Sequence, residues 1–249
     1  SGNATDDEGH GTHATGIAAG EGGGSSGTGV ATNTSLLAVK VLNGTGDGLE
    51  SDIIKGIEWS IDNGANIISM SLGLVYTAFT SCYDVSLSLT VENATRLGSL
   101  VVVSTGNSGP SSSTISAPAC AKSALAVGSV KDGSNGATPI DNISSFSSRG
   151  ATDDNRTKPD LVAPGEWITS PINSTHDGTF RGTSMAAPHV SGVAALVMER
   201  YRTINVYLPN PHLVKTILLT AVNTSDMQAD GYTQRNNAYG ARRIDSYEA

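Results

Sequence analysis

A short peptide in the second half of the chain presents a serine in a setting that suits nucleophilic chemistry. Ser184 follows a glycine turn and precedes an apolar, alanine-rich run that predicts a buried helix. A serine on a tight turn at a helix N-terminus exposes its hydroxyl to a cleft, and the helix dipole there favours developing negative charge. The complete peptide reads Gly182-Thr183-Ser184-Met185-Ala186-Ala187-Pro188-His189. We therefore interpret Ser184 as a candidate nucleophile.

A serine nucleophile needs a base, and the base needs a third group that orients it. His10 is the candidate base, because glycines on both sides of it let another chain segment approach closely. Taken alone, a histidine is more often structural than catalytic. The orienting group must reach the ring nitrogen that faces away from the serine, which makes Asp6 and Asp7 poor candidates. No third group is evident in the sequence.

Asn107 is the third residue with a chemical interpretation. It lies in the turn that follows a buried apolar strand, where its side-chain amide could donate a hydrogen bond to an oxyanion. The alternative is an asparagine that serves the turn alone.

Apolar runs of strand length alternate with helical patterns along the chain. Continuous apolar strands separated by helices are typical of a parallel sheet that is covered on both faces, which predicts an α/β fold. In such sheets the chemistry lies at the carboxyl ends of the strands. Predicted strands cover residues 35–42, 66–71, 100–104, 123–130 and 160–163, and predicted helices cover residues 53–61, 85–96, 184–202 and 211–221.

Charge and hydropathy exclude two classes of partner. With 15 basic against 23 acidic residues, a net charge of −8 and no basic run, we expect no nucleic-acid partner. No apolar stretch reaches the roughly 18 residues of a spanning helix, so we expect no membrane partner.

Cysteines and asparagines give modest support for an exported protein. Cys82 and Cys120 are compatible with one disulfide in an oxidising compartment, and two free buried thiols are the alternative. Asn-x-Ser/Thr sequons are frequent, and a glycosylating pathway would use them. They begin at Asn3, Asn33, Asn43, Asn93, Asn142, Asn155, Asn173 and Asn223.

Several of these segments occur together and in order along the chain. The peptide around Ser184, together with the segments that hold His10 and Asn107 and the run Pro159-Asp160-Leu161-Val162-Ala163-Pro164-Gly165, resembles the subtilisin-like serine proteases, the subtilase family or peptidase S8. The resemblance runs from about Asp6 to Ala249. It implies a three-layer fold with a mainly parallel central sheet, in a single peptidase domain over residues 1–249.

The resemblance also implies roles for the three residues. Ser184 would attack the scissile carbonyl and form an acyl-enzyme, His10 would act as general base, and the Asn107 amide would hold the oxyanion. His13 and His189 would be structural. The partner would be a polypeptide, and the protein would be a secreted, extracellular monomer with an upstream pro-region in the parent protein.

Substrate-binding residues follow from the same resemblance. An extended substrate would lie between two edge segments, and small uncharged walls would favour an apolar or aromatic side chain before the cut. The implied residues are Gly46, Asp47 and Gly48 on one edge, Ser71, Leu72 and Gly73 on the other, and Thr105 and Gly106 in the pocket beside Leu72.

This chain departs from the family pattern at the catalytic aspartate. In the family, this aspartate precedes the histidine in an Asp-[Thr/Ser]-Gly motif, and the nine residues before His10 do not contain that motif. We therefore expect a catalytic domain that is missing its N-terminal segment. Without the orienting aspartate, the rate of this chain alone would fall by about 10⁴.

Cofactors are not needed for the implied chemistry. Many relatives hold a calcium ion where residues 21–27 lie here, but this loop is mostly Gly and Ser and lacks the side-chain oxygens that calcium prefers. A structural calcium ion is therefore not supported at that loop, and the sequence leaves other metal sites open.

Two alternatives to the endopeptidase stay open. The missing aspartate favours a catalytically impaired binding or scaffold protein of protease descent. An acyl transferase or ligase would use the same acyl-enzyme and differ only in the nucleophile that resolves it.

Overall fold

The computed structural model describes residues 4–22, 27–74, 82–131, 142–223 and 235–245. Within these ranges the strands form a seven-stranded central sheet and a separate two-stranded hairpin. The helices are α1 (His10–Ala19), α2 (Glu50–Asp62), α3 (Ser86–Arg96), α4 (Thr183–Asn205) and α5 (Pro211–Thr220). The strands are β1 (Ile67–Met70), β2 (Leu100–Ser104), β3 (Leu125–Lys131), β4 (Asn142–Ile143), β5 (Leu161–Pro164), β6 (Ile168–Pro171), β7 (Asp177–Phe180), β8 (Val222–Asn223) and β9 (Arg243–Ile244).

The central sheet is mainly parallel. Its order is β1-β2-β3-β5-β9-β8, with β4 paired to β3 outside this path. β1, β2, β3, β5 and β9 run parallel, whereas β4 and β8 pair antiparallel to their neighbours. All five residues of β2 are buried, as expected for a strand covered on both faces.

Two apolar layers enclose this sheet. Val101 and Val103 of β2 pack with α2 and α3, whereas Leu100 and Val102 point to the opposite face and pack with α4 and α5. This alternation follows from the two-residue period of a strand. The predicted three-layer α/β architecture is confirmed.

The predicted strand at residues 35–42 is wrong. No strand forms there, and Leu36 and Leu37 are 55% and 47% exposed. An apolar run favours an extended backbone, but a strand also needs a hydrogen-bonded neighbour, and no described residue provides one. Instead, Lys40 Nζ donates to the Thr5 carbonyl and pairs with Asp7.

A buried charge cluster joins β5 to α5. Asp160, directly before β5, accepts hydrogen bonds from Lys158 Nζ at 2.6 Å, Lys215 Nζ at 3.1 Å, Arg235 Nη2 at 2.9 Å and the Ala126 N–H at 2.9 Å. Burial alone would raise the pKa of Asp160, but the neighbouring cations and the backbone donor outweigh it and lower this pKa to about 2. Burial lowers the pKa of Lys158. Asp160 therefore stays ionised at neutral pH and compensates the buried lysine.

Replacement of Asp160 by asparagine is expected to destabilise the protein by about 3–5 kcal/mol, because the buried Lys158 would lose the carboxylate that stabilises its charged form. The folded pKa of Asp160 lies below the unfolded value near 3.8. Its stabilising contribution is thus complete above about pH 4 and is lost as the pH falls towards about 2. Urea unfolding at pH 7 and across pH 2–5 measures both effects.

Asp62→Asn is the matched control, because Asp62 is exposed at the end of α2. We expect it to change the free energy of unfolding by less than about 0.5 kcal/mol. Equal effects of the two substitutions, or an Asp160→Asn protein with unchanged acid sensitivity, would contradict the assigned role of Asp160.

Candidate active site

Ser184 is the second residue of α4 and is tied to the end of β1 by two hydrogen bonds. Ser71 Oγ donates to the Ser184 carbonyl at 2.7 Å, and Ser184 Oγ donates to the Ser71 carbonyl at 3.4 Å. Ser71 directly follows β1 (Ile67–Met70). The candidate nucleophile therefore lies where the carboxyl end of a sheet strand meets the N-terminus of α4, and the helix dipole favours negative charge at this position.

Pro188 explains why the Ser184 carbonyl needs a hydrogen bond from Ser71. In an α-helix the carbonyl of residue 184 would accept from the N–H of residue 188, and a proline has no N–H. Ser71 Oγ supplies the missing donor from a different element. The proline thus couples the backbone of the nucleophile to β1.

Asn107 is anchored through its carbonyl oxygen. Oδ1 accepts from the Thr183 N–H at 3.0 Å and from Thr183 Oγ1 at 3.1 Å. These two hydrogen bonds fix the orientation of the Asn107 amide, in which Oδ1 is the acceptor and Nδ2 is left as the donor. A Cβ atom added at Gly182 would lie 3.4 Å from Nδ2. The amide donor is thus held beside the turn that presents Ser184.

Thr183 is a positioning residue that sequence reasoning missed. Besides holding Asn107, its Oγ1 accepts from the Gly106 N–H at 3.2 Å. Its place next to Ser184 was the available signal, but the contact with Asn107 joins residues 76 positions apart and has no local pattern.

His10 and Ser184 line the same open cavity, whose volume is about 640 Å³. His10 begins α1, and its N–H donates to Glu8 Oε2 at 2.9 Å. In this state the Ser184 hydroxyl donates to Ser71, and the described hydrogen bonds include none to the His10 ring. The remaining lining residues are Glu8, Asn107, Trp167, Thr179, Phe180, Arg181 and Met185.

Asp6 and Asp7 have other partners. The Asp6 carboxylate accepts from the N–H groups of Gly9 and Thr12 and from Thr12 Oγ1. Partial burial opposes these bonds, but together they hold the pKa of Asp6 well below its usual value. The hydrogen bond from Lys40 lowers the pKa of Asp7. In the described ranges, no carboxylate accepts a hydrogen bond from the His10 ring.

The implied pocket residues come together around Ser116. Ser116 donates to the Thr105 carbonyl from both its N–H, at 3.0 Å, and its Oγ, at 3.1 Å. A Cβ atom added at Gly73 would lie 2.8 Å from Ser116 Oγ, so a side chain there would displace it. Gly106 adopts φ +100 and lies next to the same serine. A Cβ atom added at Gly106 would lie 3.1 Å from Ser116 Oγ. Two glycines thus let both pocket walls approach one serine.

A disulfide lies in the apolar cluster beside the implied pocket. Cys82 and Cys120 are bonded, and both are buried in the apolar cluster against which Leu72 packs. The Leu74 N–H donates to the Ala117 carbonyl at 2.9 Å, close in sequence to Cys120. Residues 75–81, between Leu74 and Cys82, lie outside the described ranges.

Gly46, Asp47 and Gly48 make their described contacts within their own loop. The Asp47 N–H donates to Asn43 Oδ1 at 3.0 Å, and Gly46 adopts φ +80. A Cβ atom added at Gly48 would lie 2.5 Å from the Val41 carbonyl oxygen. The structure does not connect this loop to Ser184, so its role in substrate binding stays a prediction.

His13 and His189 have backbone partners. His13 Nε2 donates to the carbonyls of Ile168 and Gly178, each at 3.0 Å, and its ring stacks on Phe180 at 4.4 Å. His189 Nδ1 donates to the Met185 carbonyl at 2.8 Å. Burial lowers the pKa of both imidazoles. His13 therefore fastens the β6–β7 hairpin to α1.

Among the described residues, no three His, Cys, Asp or Glu side chains form a group that could hold a metal ion. Residues 23–26 of the loop at 21–27 lie outside these ranges, so the expectation that this loop does not support a structural calcium ion stays untested. None of the described helices combines the length and apolar character that membrane crossing requires.

Comparison with known proteins identifies the family. The model of the subtilase family (peptidase S8) matches residues 1–241. The serine protease AprX of Bacillus subtilis (strain 168) is 36% identical over 97% of this chain and 57% of its own length. Subtilisin DY of Bacillus licheniformis is 41% identical over 81% of this chain and 67% of its own length. The chain belongs to the subtilase family.

Structural comparison agrees with the sequence relatives. The solved structure of sphericase has a TM-score of 0.78 and 30% identity, over 95% of this chain and 77% of that one. The chain spans little more than half the length of AprX. The predicted family and the subtilisin-like fold are therefore confirmed.

Ser71→Ala should lower the free energy of unfolding by about 1–2 kcal/mol, because it leaves the Ser184 carbonyl without a donor. Pro188→Ala would restore an N–H that can donate to this carbonyl within α4. Ser71→Ala should therefore cost less in the Pro188→Ala background. Chemical denaturation of the four proteins in a double-mutant cycle measures the coupling.

The control for this cycle is Ser86→Ala, which removes an exposed hydroxyl at the start of α3. It should be additive with Pro188→Ala. If Ser71→Ala is equally additive, Pro188 does not create the need for Ser71.

Proposed function

We propose that this chain carries the nucleophile, general base and oxyanion donors of a serine endopeptidase. The observation that carries the proposal is the double anchoring of the reactive turn. Ser71 holds the Ser184 carbonyl, and Thr183 holds the Asn107 amide, so nucleophile and oxyanion donor are fixed on one turn. Subtilase membership and relatives named as a serine protease and a subtilisin support the same reaction class.

The reaction begins when Ser184 Oγ leaves its contact with Ser71 and attacks the scissile carbonyl carbon. His10 takes the hydroxyl proton as the new C–O bond forms, and then gives it to the leaving amine as the C–N bond breaks. A water then attacks the acyl carbon and gives a proton to His10, which returns it to Ser184 Oγ as the ester C–O bond breaks and the acid product leaves. No cofactor takes part in this sequence.

Negative charge develops on the former carbonyl oxygen. Asn107 Nδ2 and the Ser184 N–H are the proposed donors, and the N-terminus of α4 adds a favourable dipole. Anchoring by Thr183 means that the amide need not reorient during the reaction. Removal of one such donor costs about 2.7–4 kcal/mol of transition-state stabilisation.

The proposed substrate is an extended polypeptide. Its backbone would pair with the segment Ser71-Leu72-Gly73, and the side chain before the cut would enter the pocket beside Thr105 and Gly106. Because these pocket walls are small and uncharged, we infer a preference for apolar or aromatic side chains there. The loop containing Gly46, Asp47 and Gly48 is proposed as the opposite edge.

An extracellular location fits the disulfide and the named relatives. The Cys82–Cys120 bond is expected in an oxidising compartment. The relatives include subtilisins of Bacillus species. Secretion, a monomeric state and an upstream pro-region stay predictions from the family resemblance.

The lack of a carboxylate that orients His10 among the described residues limits the expected rate. Asp6 is held by Gly9 and Thr12, and Asp7 is held by Lys40. We therefore expect peptide hydrolysis by these 249 residues alone to be about 10⁴ slower than with an oriented histidine. Full proteolytic activity of the isolated chain would contradict this account of His10.

A fluorophosphonate probe tests the nucleophile directly, because labelling needs no peptide substrate and, being irreversible, accumulates on long incubation even at the slow rate expected without an oriented His10. Labelled protein should give one modified tryptic peptide that contains Ser184, and Ser184→Ala should abolish labelling. Asn107→Ala should slow labelling by about 10²-fold or more, because phosphonylation also builds charge on an oxygen.

Ser108→Ala is the matched control, because it changes an exposed serine next to Asn107 and leaves both donors in place. It should label like the unmodified chain. Labelling of another serine, or labelling that survives Ser184→Ala, would overturn the proposed function.

A further inference from the structure

The hairpin of β6 and β7 brings a tryptophan and an arginine together at the candidate site. Ile168 pairs with Phe180 in this hairpin, so Trp167 and Arg181 face each other one position further along the two strands. The guanidinium carbon of Arg181 lies 5.8 Å from the Trp167 ring centre, which is within cation–π range. Both residues line the cavity that contains His10 and Ser184.

The cationic group of this pair is accessible. Trp167 is 62% exposed, and Arg181 is exposed. Across the described ranges, the ion pairs include none to Arg181. An arginine that stacks on an aromatic face keeps its planar edge free for a carboxylate. The pair therefore presents a cationic donor that can bind an acidic side chain.

The position of the cavity indicates which part of a substrate it faces. The general base must reach the leaving amine, so the chain after the scissile bond departs past His10. The lining comes from the start of α1, the β6–β7 hairpin and the turn at Ser184, together with Asn107. Of the described residues assigned to the acyl side, Ser71, Gly73 and Gly106 are not part of this lining. The cavity thus lies on the leaving-group side.

The hairpin is held rigidly in this place. His13 of α1 donates to the carbonyls of Ile168 and Gly178 and stacks on Phe180. Thr169 and Thr179 add a hydrogen bond of 2.8 Å between the two strands. The backbone that carries Trp167 and Arg181 is therefore fixed before a ligand arrives, so that ordering is confined to the two side chains, and such preorganisation favours binding.

We propose that Trp167 and Arg181 form a subsite that selects an acidic side chain within the first two residues after the scissile bond. This inference rests on the proposed endopeptidase function and adds a substrate class to it. The Trp167 ring covers the aliphatic part of the substrate side chain, while the Arg181 guanidinium donates to its carboxylate.

Glu8 is the competing charge in the same cavity. Its Oε2 accepts from the His10 N–H, which places its carboxylate at the α1 wall, whereas Arg181 belongs to the hairpin wall. A basic side chain would be favoured if Glu8 dominated. Glu8 and Arg181 therefore predict opposite preferences for the charge of the substrate side chain, and a comparison of acidic with basic peptides distinguishes them.

Equilibrium binding to the Ser184→Ala chain tests the subsite without depending on turnover. The probes are fluorescently labelled octapeptides with phenylalanine before the scissile position and Asp, Asn or Lys at either of the next two positions. Fluorescence anisotropy should show the better-placed Asp peptide binding roughly three- to ten-fold tighter than its Asn counterpart. The Lys counterpart should bind more weakly than both.

Variants assign the preference to its residues. In the Ser184→Ala background, Arg181→Gln should remove the difference between Asp and Asn peptides, and Arg181→Glu should reverse the order of Asp and Lys. Arg200→Gln, an exposed change on α4, is the control and should leave the preference intact. Higher salt should weaken the preference, because the pair is exposed.

Three results would overturn the subsite: no measurable binding of any peptide, equal binding of Asp and Asn peptides, or a preference that survives Arg181→Gln. Fluorophosphonate labelling of the chain with intact Ser184 separates this failure from failure of the proposed function. Labelling with no acidic preference refutes the subsite alone, whereas an acidic preference without labelling refutes the nucleophile and leaves the subsite standing.

Discussion

The carbonyl of Ser184 lacks its helical donor because residue 188 is a proline, and the architecture of the site follows from how this deficit is met. Ser71 Oγ donates to that carbonyl at 2.7 Å, which ties the N-terminus of α4 to the end of β1. The neighbouring Thr183 ties the same turn to the segment after β2 through Asn107. Two adjacent parallel strands thus fix one helix end, and this is the place where a parallel sheet presents chemistry.

The remaining contacts extend this arrangement to both sides of the reactive turn. On one side, Ser116 joins Thr105 to the glycines of the pocket walls, and the Cys82–Cys120 bond lies in the cluster beneath them. On the other side, His13 fastens the β6–β7 hairpin to α1. The proposed acyl side is therefore small and uncharged, whereas the proposed leaving-group side presents a cation on an aromatic face. This asymmetry is the basis for assigning different side-chain preferences to the two halves of a substrate.

Local sequence patterns correctly predicted the elements whose hydrogen bonds are local or whose side chains lie deep in the core. The apolar run of β2 and the helical spacing around Ile53 and Ile57 gave correct elements, and the turn before Ser184 indicated a displayed nucleophile. Residues 35–42 failed because a strand depends on a partner that their own sequence does not contain. The contact of Thr183 with Asn107 and the cross-strand position of Trp167 opposite Arg181 could not be predicted from local sequence either. Each depends on segments brought together by the tertiary fold, and β6 and β7 are short, without clear alternation.

The most direct test of the central claim is a crystal structure of this chain reacted with a peptide aldehyde that has phenylalanine at its reactive end. The account predicts a hemiacetal on Ser184 Oγ, with its oxygen about 2.7–3.1 Å from both Asn107 Nδ2 and the Ser184 N–H nitrogen. The Ser71 contact with the Ser184 carbonyl and the Thr183 contacts with Asn107 should persist unchanged. A hemiacetal oxygen directed away from Asn107, or an Asn107 side chain released from Thr183 in the adduct, would contradict the claim that this turn is a preorganised oxyanion site.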